Sequence, residues 1–160
     1  TDGEKDIVLG TRMGKLIRFA EKDARPVGRV SRGVQGIRLV GDDEVVGMEV
    51  VTPDATLLTV TENGYGKRTR TEEYRRQSRG GQGIITIKTD ERNGQVVGMK
   101  QVNDEDQLIM VSSDGKIIRM KASQIPVIGR NTKGVRLIVL EERGKLVSFA
   151  KLEEKDESEE

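Results

Sequence analysis

The sequence predicts an all-β chain, built from repeated four-stranded units of about 50 residues. Three observations carry this. First, Arg32-Gly33-Val34-Gln35-Gly36-Ile37 returns as Arg79-Gly80-Gly81-Gln82-Gly83-Ile84 and again as Arg130-Asn131-Thr132-Lys133-Gly134-Val135, with starts 47 and 51 residues apart. Second, Val45-Val46-Gly47-Met48 is echoed by Val96-Val97-Gly98-Met99 and more loosely by Leu146-Val147-Ser148-Phe149. Third, no apolar stretch keeps a helical period for even three turns, whereas short β-branched runs bounded by turn residues recur. A period of this length means stacked or radially arranged β units.

Each unit reads as an apolar strand, a tight turn ending in Gly-Lys, and a second strand bearing Arg. A variable loop, the Arg-x-x-Gln/Lys-Gly corner, a third strand, another turn and a fourth strand follow. Ile7-Val8-Leu9, Thr56-Leu57-Leu58-Thr59-Val60 and Leu108-Ile109-Met110-Val111 are the first strands. Asn63-Gly64 and Asp114-Gly115 signal hairpins, whose favoured turn needs positive φ at both central residues, and Asn93-Gly94 marks a later turn. Gly14-Lys15, Gly66-Lys67 and Gly115-Lys116 lie 52 and 49 residues apart, and each Lys is followed three residues later by Arg18, Arg70 or Arg119. In the second strands Ile17 and Phe19 share one face, as do Ile118 and Met120, opposite Leu16 with Arg18 and Ile117 with Arg119. Such strands are covered on one side and partly solvated on the other. The middle copy, Lys67-Arg68-Thr69-Arg70-Thr71, has no apolar residue and reads as an edge strand. The units fall at about 6–51, 55–103 and 106–151 within a body of residues 1–151, followed by a disordered acidic tail at 152–160.

Composition removes several function classes. With 160 residues the chain can bury a core, but aromatics are 2%, so that core is Val, Ile, Leu and Met. Zero Cys excludes disulfides and thiolate metal sites, and zero His excludes a His-assisted nucleophile or a His-ligated metal. The glycine-rich stretches lack a Ser or Thr directly after Lys and no helix follows, which removes a phosphate-loop reading. Asp42-Asp43-Glu44 and Asp104-Glu105-Asp106 read as solvated turn tips. Tyr65 and Tyr74, the two phenols, sit among basic residues with nothing that marks either as a nucleophile. No run reaches transmembrane length and no signal peptide is seen, so no membrane partner and a cytoplasmic location are expected.

Charge is the better signal. The net charge is +1, but the tail holds six acids and one Lys; without it 27 basic and 21 acidic residues remain, a body charge of +6. The tail is either a solubilising end or a competitor for a basic surface. Candidate phosphate contacts are Lys15, Arg18, Arg32 and Arg38 in the first unit; Lys67, Arg68, Arg70, Arg75, Arg76 and Arg79 in the second; and Lys116, Arg119, Arg130, Lys133 and Arg136 in the third. Radial repetition would lay them out as a curved rail that suits a bent polyanion. Glycines beside Arg in the corner would let backbone N–H groups approach phosphate oxygens. Few aromatics disfavour a single-strand stacking platform, so double-stranded DNA gripped by its backbone is the expected ligand. An ordinary mixed-charge surface is the competing reading.

Glu62-Asn63-Gly64-Tyr65-Gly66-Lys67-Arg68-Thr69, Glu73-Tyr74 and Glu91-Arg92-Asn93-Gly94-Gln95-Val96-Val97-Gly98, with Ile128-Gly129-Arg130-Asn131-Thr132-Lys133-Gly134-Val135 and the acidic tail, resemble the C-terminal domain of DNA gyrase A. The C-type subunit of topoisomerase IV is the close relative. The resemblance implies a β-pinwheel, a propeller-like fold whose blades exchange strands, with this chain as its last three blades. Gln77-Ser78-Arg79-Gly80-Gly81-Gln82-Gly83 is similar to the family's hallmark heptad, Gln-Arg-Arg-Gly-Gly-Lys/Arg-Gly, with Ser and Gln replacing two basic residues. The resemblance also implies a DNA-wrapping and bending module of a type II topoisomerase that supports ATP-dependent negative supercoiling. It implies no catalysis and no cofactor in this chain itself, because ATP, Mg and the catalytic Tyr belong to other parts of the parent. Partners would be double-stranded DNA, the remaining domains of gyrase A and the gyrase B ATPase, at the bacterial nucleoid. A topoisomerase IV domain, a protein-interaction propeller and self-association of an incomplete pinwheel through strand edges stay open.

Overall fold

The structure, a computed structural model, describes residues 5–23, 36–77 and 79–152. Arg25, Arg29, Arg32, Ser78 and the acidic residues beyond Leu152 lie outside the described residues. The strands are β1 (Asp6–Thr11), β2 (Lys15–Ala20), β3 (Val45–Val51), β4 (Thr56–Thr61), β5 (Tyr65–Arg70), β6 (Ile84–Ile85), β7 (Val96–Val102), β8 (Gln107–Ser112), β9 (Ile117–Lys121), β10 (Val135–Arg136) and β11 (Leu146–Leu152). β-Branched residues fill four of six positions in β4 and three of seven in β7, as a pleated, half-buried surface favours. The helical content among the described residues is three single 3-10 turns, Glu21–Asp23, Thr71–Glu73 and Ala122–Gln124.

Among the described residues three antiparallel sheets result, ordered β3-β1-β2-β6, β10-β5-β4-β7 and β11-β8-β9. Their connectivity is not that of independent blades. The fourth strand of the first sheet, β6, comes from the second repeat, and the fourth strand of the second sheet, β10, comes from the third. After the second and third 3-10 turns the chain first runs parallel to the second strand of the preceding repeat, bridging Arg18 to Arg76 and Arg68 to Val127. It then turns at the Arg-x-x-Gln/Lys-Gly corner and pairs antiparallel. This is the strand exchange of a pinwheel. Positive φ at Gly83 and Gly134 serves that corner: a Cβ on Gly83 would lie 2.6 Å from the Leu16 carbonyl oxygen, and one on Gly134 2.7 Å from that of Gly66. The corner glycines therefore admit the donated strand. Their neighbours' backbone groups also bond internally, with the Gly80 N–H donating to the Gly36 carbonyl at 2.7 Å and Arg38 N–H to that of Gly81 at 2.7 Å.

Exchange overturns the reading of Lys67–Thr71 as an edge. β5 lies between β4 and β10, and Tyr65 to Thr69 are all buried. The repeat register also differs from the Gly-Lys spacing. Gly14, Gly64 and Gly115 are the hairpin glycines, with φ of 89°, 86° and 84°, and each N–H closes a turn onto Thr11, Thr61 or Ser112 at 3.1 Å. The preceding Asn63 and Asp114 do not take positive φ, so these are turns closed by a left-handed glycine rather than two-residue turns with both centres left-handed. Counting from these glycines makes Lys15, Tyr65 and Lys116 equivalent, Arg18, Arg68 and Arg119 equivalent, and sets Lys67 where its neighbours carry Ile17 and Ile118.

The core is aliphatic, as composition requires. Val8, Leu16, Val51, Leu57, Tyr74 and Met99 form one buried cluster, and Leu58, Val60, Val102, Leu108, Met110 and Ile125 anchor another. Each fully buried Leu here contributes roughly 1.5–3 kcal/mol. β3 packs on β7 and β7 on β11, so these three strands are innermost, while β6 and β10 lie outermost. Both faces of β2 are covered, with Leu16, Ile17 and Phe19 buried and Arg18 half-buried, not one face only. β9 keeps an open side, and Ile117 on it is 66% exposed.

Candidate nucleic-acid interface

The basic residues divide by what their charged ends touch. One group holds repeats together. Arg18 donates Nε to Asp6 Oδ2 at 2.8 Å and Nη1 to the Thr71 and Tyr74 carbonyls at 2.7 and 3.2 Å. Its equivalent Arg68 is buried, donates Nε to the Ile125 carbonyl at 2.8 Å, and pairs with Asp104. The same arginine thus clamps the 3-10 turn of the following repeat twice. Arg119, the third copy, is exposed and donates to Gln107 Oε1 at 2.6 Å.

Lys67 has no exposed surface and sits inside the junction of the second and third repeats. Its Nζ donates to the Gly129 and Arg130 carbonyls at 2.6 and 2.7 Å and to Thr132 Oγ1 at 3.1 Å. Burial pulls its pKa down to about 8; Glu73 opposes the shift and Arg130 adds to it. The corner arginines also spend donors internally: Arg79 Nε on the Asp23 carbonyl at 2.8 Å, and Arg130 Nη1 on the Ile85 carbonyl at 3.0 Å. Lys67 and Arg68 are out of reach of a phosphate, which corrects their assignment as rail positions; Arg18 is largely spent on the neighbouring repeat.

A second group faces solvent. Arg38, Arg70 and Arg75 are exposed and their side chains make no hydrogen bond among the described residues. Arg76 is exposed but pairs with Asp6 at 2.6 Å, and Lys15 is half-buried. Burial pushes the Asp6 carboxyl up, but hydrogen bonds from Arg76 and Arg18 outweigh it and leave the pKa below the ordinary value. Lys116 is exposed with Nζ on the Val139 carbonyl at 3.1 Å, and exposed Lys133 pairs with Asp90. Arg136, on outermost β10, donates Nη2 to the Tyr65 hydroxyl at 3.0 Å.

Sequence reasoning missed Arg92. It lies in the turn between β6 and β7 and donates Nε to the same Tyr65 hydroxyl at 2.9 Å. Both guanidinium groups lie over the Tyr65 ring, 5.6 and 5.3 Å from its centroid for Arg92 and Arg136. The signal that could have found it was the pairing of a rare aromatic with the Arg of a repeated turn. Tyr74 is the opposite case: buried, its hydroxyl 2.5 Å from Thr86 Oγ1, and pushed above its ordinary pKa by desolvation. The acidic turn tips are mixed: Asp42 and Glu105 are exposed with no bond among the described residues, while Asp43, Asp104 and Asp106 accept internal hydrogen bonds. Asp43 Oδ1 accepts from the Met13 N–H at 2.9 Å, and no group of metal-holding residues occurs among the described residues. No helix among them is long and apolar enough to cross a membrane.

Comparison with known proteins matches this geometry. The family model described as "DNA gyrase C-terminal domain, beta-propeller" matches residues 5–52, 55–103 and 106–153. The A protein of DNA gyrase from Salmonella typhimurium is 45% identical over the whole chain, and that from Haloquadratum walsbyi is 49% identical over 92% of it. The chain spans 18% of the length of each of these relatives. Among solved structures, a DNA gyrase A C-terminal domain matches with a TM-score of 0.84 at 30% identity, covering 92% of this chain and 50% of that one. The C-terminal domain of a DNA topoisomerase IV matches with a TM-score of 0.88 at 25% identity, covering 96% of this chain and 48% of the other. With a family match running through all three sheets, the chain belongs to the DNA gyrase C-terminal domain family of β-propellers.

Proposed function

We propose that this chain is a DNA-binding module of a type II topoisomerase, of the gyrase A kind, which wraps duplex DNA along its outer strands and so supports ATP-dependent negative supercoiling by its parent enzyme. The observation that carries this is the division of cations described above. Interior arginines and Lys67 are spent on joining repeats, while Arg70, Arg75, Arg92, Lys116, Lys133 and Arg136 remain at the exposed surface of neighbouring units. Exchange of β6 and β10 locks each unit to the next at a fixed angle, so one bent backbone could meet several of them. Each contact neutralises a phosphate and releases counterions. Sequence would enter through the bendability of the duplex rather than through base edges.

The chain works in this reading without catalysing anything. Tyr74 is buried and Tyr65 is engaged by two arginines, so neither is placed as a nucleophile. ATP and Mg would be handled by other parts, the remaining domains of gyrase A and the gyrase B ATPase, in the cytoplasm where the chromosome lies. The curated relatives at 40–49% identity favour gyrase over topoisomerase IV as the parent type. A salt titration on two unrelated duplexes tests the binding. Both are expected to show the same steep fall of affinity, and Arg70→Ala with Arg75→Ala is expected to lower the slope of log Kobs against log salt by about 0.9 for each phosphate left unneutralised. A flat titration would refute the proposal.

A further inference from the structure

Tyr65 occupies a position that both neighbouring repeats give to a cation. Its equivalents next to the hairpin glycine are Lys15 and Lys116. The second repeat instead places a phenol there and brings two cations to it from different repeats: Arg92 from the turn before β7, and Arg136 from the donated β10. Tyr65, Arg92, Lys133, Gly134, Val135 and Arg136 line an open depression of about 460 Å³. No acid lines it; Asp90, close to Arg92, is already held by Lys133 and by the Arg92 N–H at 2.9 Å, and Glu141 and Glu142 line a neighbouring depression. The two arginines occupy the phenol as donors, so its own hydrogen has no acceptor among the described residues. Most of the donors on each guanidinium are also unspent there.

We propose that this depression is a phosphate-binding notch on the outer face between the second and third repeats, in which Tyr65 is the positioning residue that aims Arg92 and Arg136 at one backbone phosphodiester of duplex DNA. The phosphate would accept from the phenolic O–H and from both guanidinium forks, a planar donor set that suits its oxygens. Because the ring carries both cations on its face and both bonds on its oxygen, the forks need little reordering on binding. The hydrogen bonds from Arg92 and Arg136 hold the Tyr65 hydroxyl below the ordinary phenol pKa, which makes it a stronger donor to an anion. Strand exchange matters here: β10 delivers Arg136 to Tyr65 only when the third repeat is docked on the second. This inference rests on the DNA-wrapping reading.

With two tyrosines and no Trp in the chain, tyrosine carrying 13C at Cζ gives two resonances that Tyr74→Phe assigns. Adding duplex DNA is expected to move the Tyr65 line and leave the Tyr74 line in place. Tyr65→Phe, which keeps the ring, is expected to weaken duplex binding about three- to ten-fold, the range of one lost hydrogen bond. Arg92→Ala, in an exposed turn, is expected to reduce the salt slope by about 0.9. If the wild-type chain binds duplex with a steep slope but the Tyr65 line and the Arg92→Ala slope are unchanged, the notch is refuted and the wrapping reading stands. If the wild-type chain does not bind duplex, that reading itself fails. Movement of the Tyr65 line by inorganic phosphate but not by duplex would also overturn the notch as a DNA site.

Discussion

Replacing Lys67 by Met removes the charge buried between the second and third repeats while keeping the length of the side chain. Its equivalents Ile17 and Ile118 show that the position accepts an apolar residue where no such charge network exists. At neutral pH two opposing effects follow. The Gly129 and Arg130 carbonyls, now bonded at 2.6 and 2.7 Å, lose their donor at about 1–3 kcal/mol each. Against that, the variant no longer buries an ammonium whose pKa has fallen from 10.5 to about 8, a penalty on the order of 3 kcal/mol at 1.36 kcal/mol per unit. The net expectation is a loss of about 1 kcal/mol, or roughly 2–4 °C in melting temperature.

The sign of the pH dependence makes this sharper. Between pH 8 and 10.5 the unfolded chain holds the Lys67 proton and the folded chain has released it. Stability of the natural chain therefore rises with pH across that window, and below it this contribution is flat. The Met variant lacks the effect, so the gap between the two is expected to widen to about 3.5 kcal/mol near pH 10. Urea unfolding of both chains near neutrality and near pH 10 measures it, because every other titrating group cancels in the difference. Equal stability at both pH values, or a gap that does not change with pH, would refute this account of the junction.

Gly83→Ala places a Cβ 2.6 Å from the Leu16 carbonyl at a φ of 77° and is expected to release β6 from β2. Amide exchange at Ile84 and Leu16 should accelerate, whereas Gln82→Ala, at an exposed position of the same corner, should change nothing. Asp6 has a lowered pKa in the folded chain, so it contributes stability above 3.8 that is lost as pH falls through its folded value. Melting temperatures on acid titration should show that loss, and Asp6→Asn should be less stable near neutrality with the acid step reduced. Arg18→Met should loosen the first repeat from the second through the Thr71 and Tyr74 carbonyls, by about 2–3 kcal/mol in urea unfolding.

The repeat, the strands and the hairpin glycines were legible because turn chemistry and β-branched runs are local properties. Asn63-Gly64 marked the true hairpin, yet the neighbouring Gly66-Lys67 imitated the Gly-Lys of the other repeats and shifted the apparent register by two residues. Strand exchange was invisible to composition: β6 and β10 are two residues each, and nothing in Ile84-Ile85 says whose edge they join. Exchange in turn decides burial, which is why the polar run at Lys67 to Thr69 read as an edge and proved interior. A basic residue in sequence does not declare whether its donors meet a carbonyl or solvent. Lys67, Arg68 and Arg18 are therefore separated from Arg70, Arg75 and Arg136 only by the fold. Arg92 escaped notice because its partners, Tyr65 and Arg136, are 27 and 44 positions away in the chain.

The central claim is that consecutive repeats offer their outer cations to one curved DNA path. Ring closure of a duplex of about 150 base pairs, close to one persistence length, tests it most directly. Bending along the outer strands predicts that the chain accelerates closure at low salt, that the effect fades as salt rises, and that it is the same for unrelated sequences. Tight duplex binding with an unchanged closure rate would contradict it.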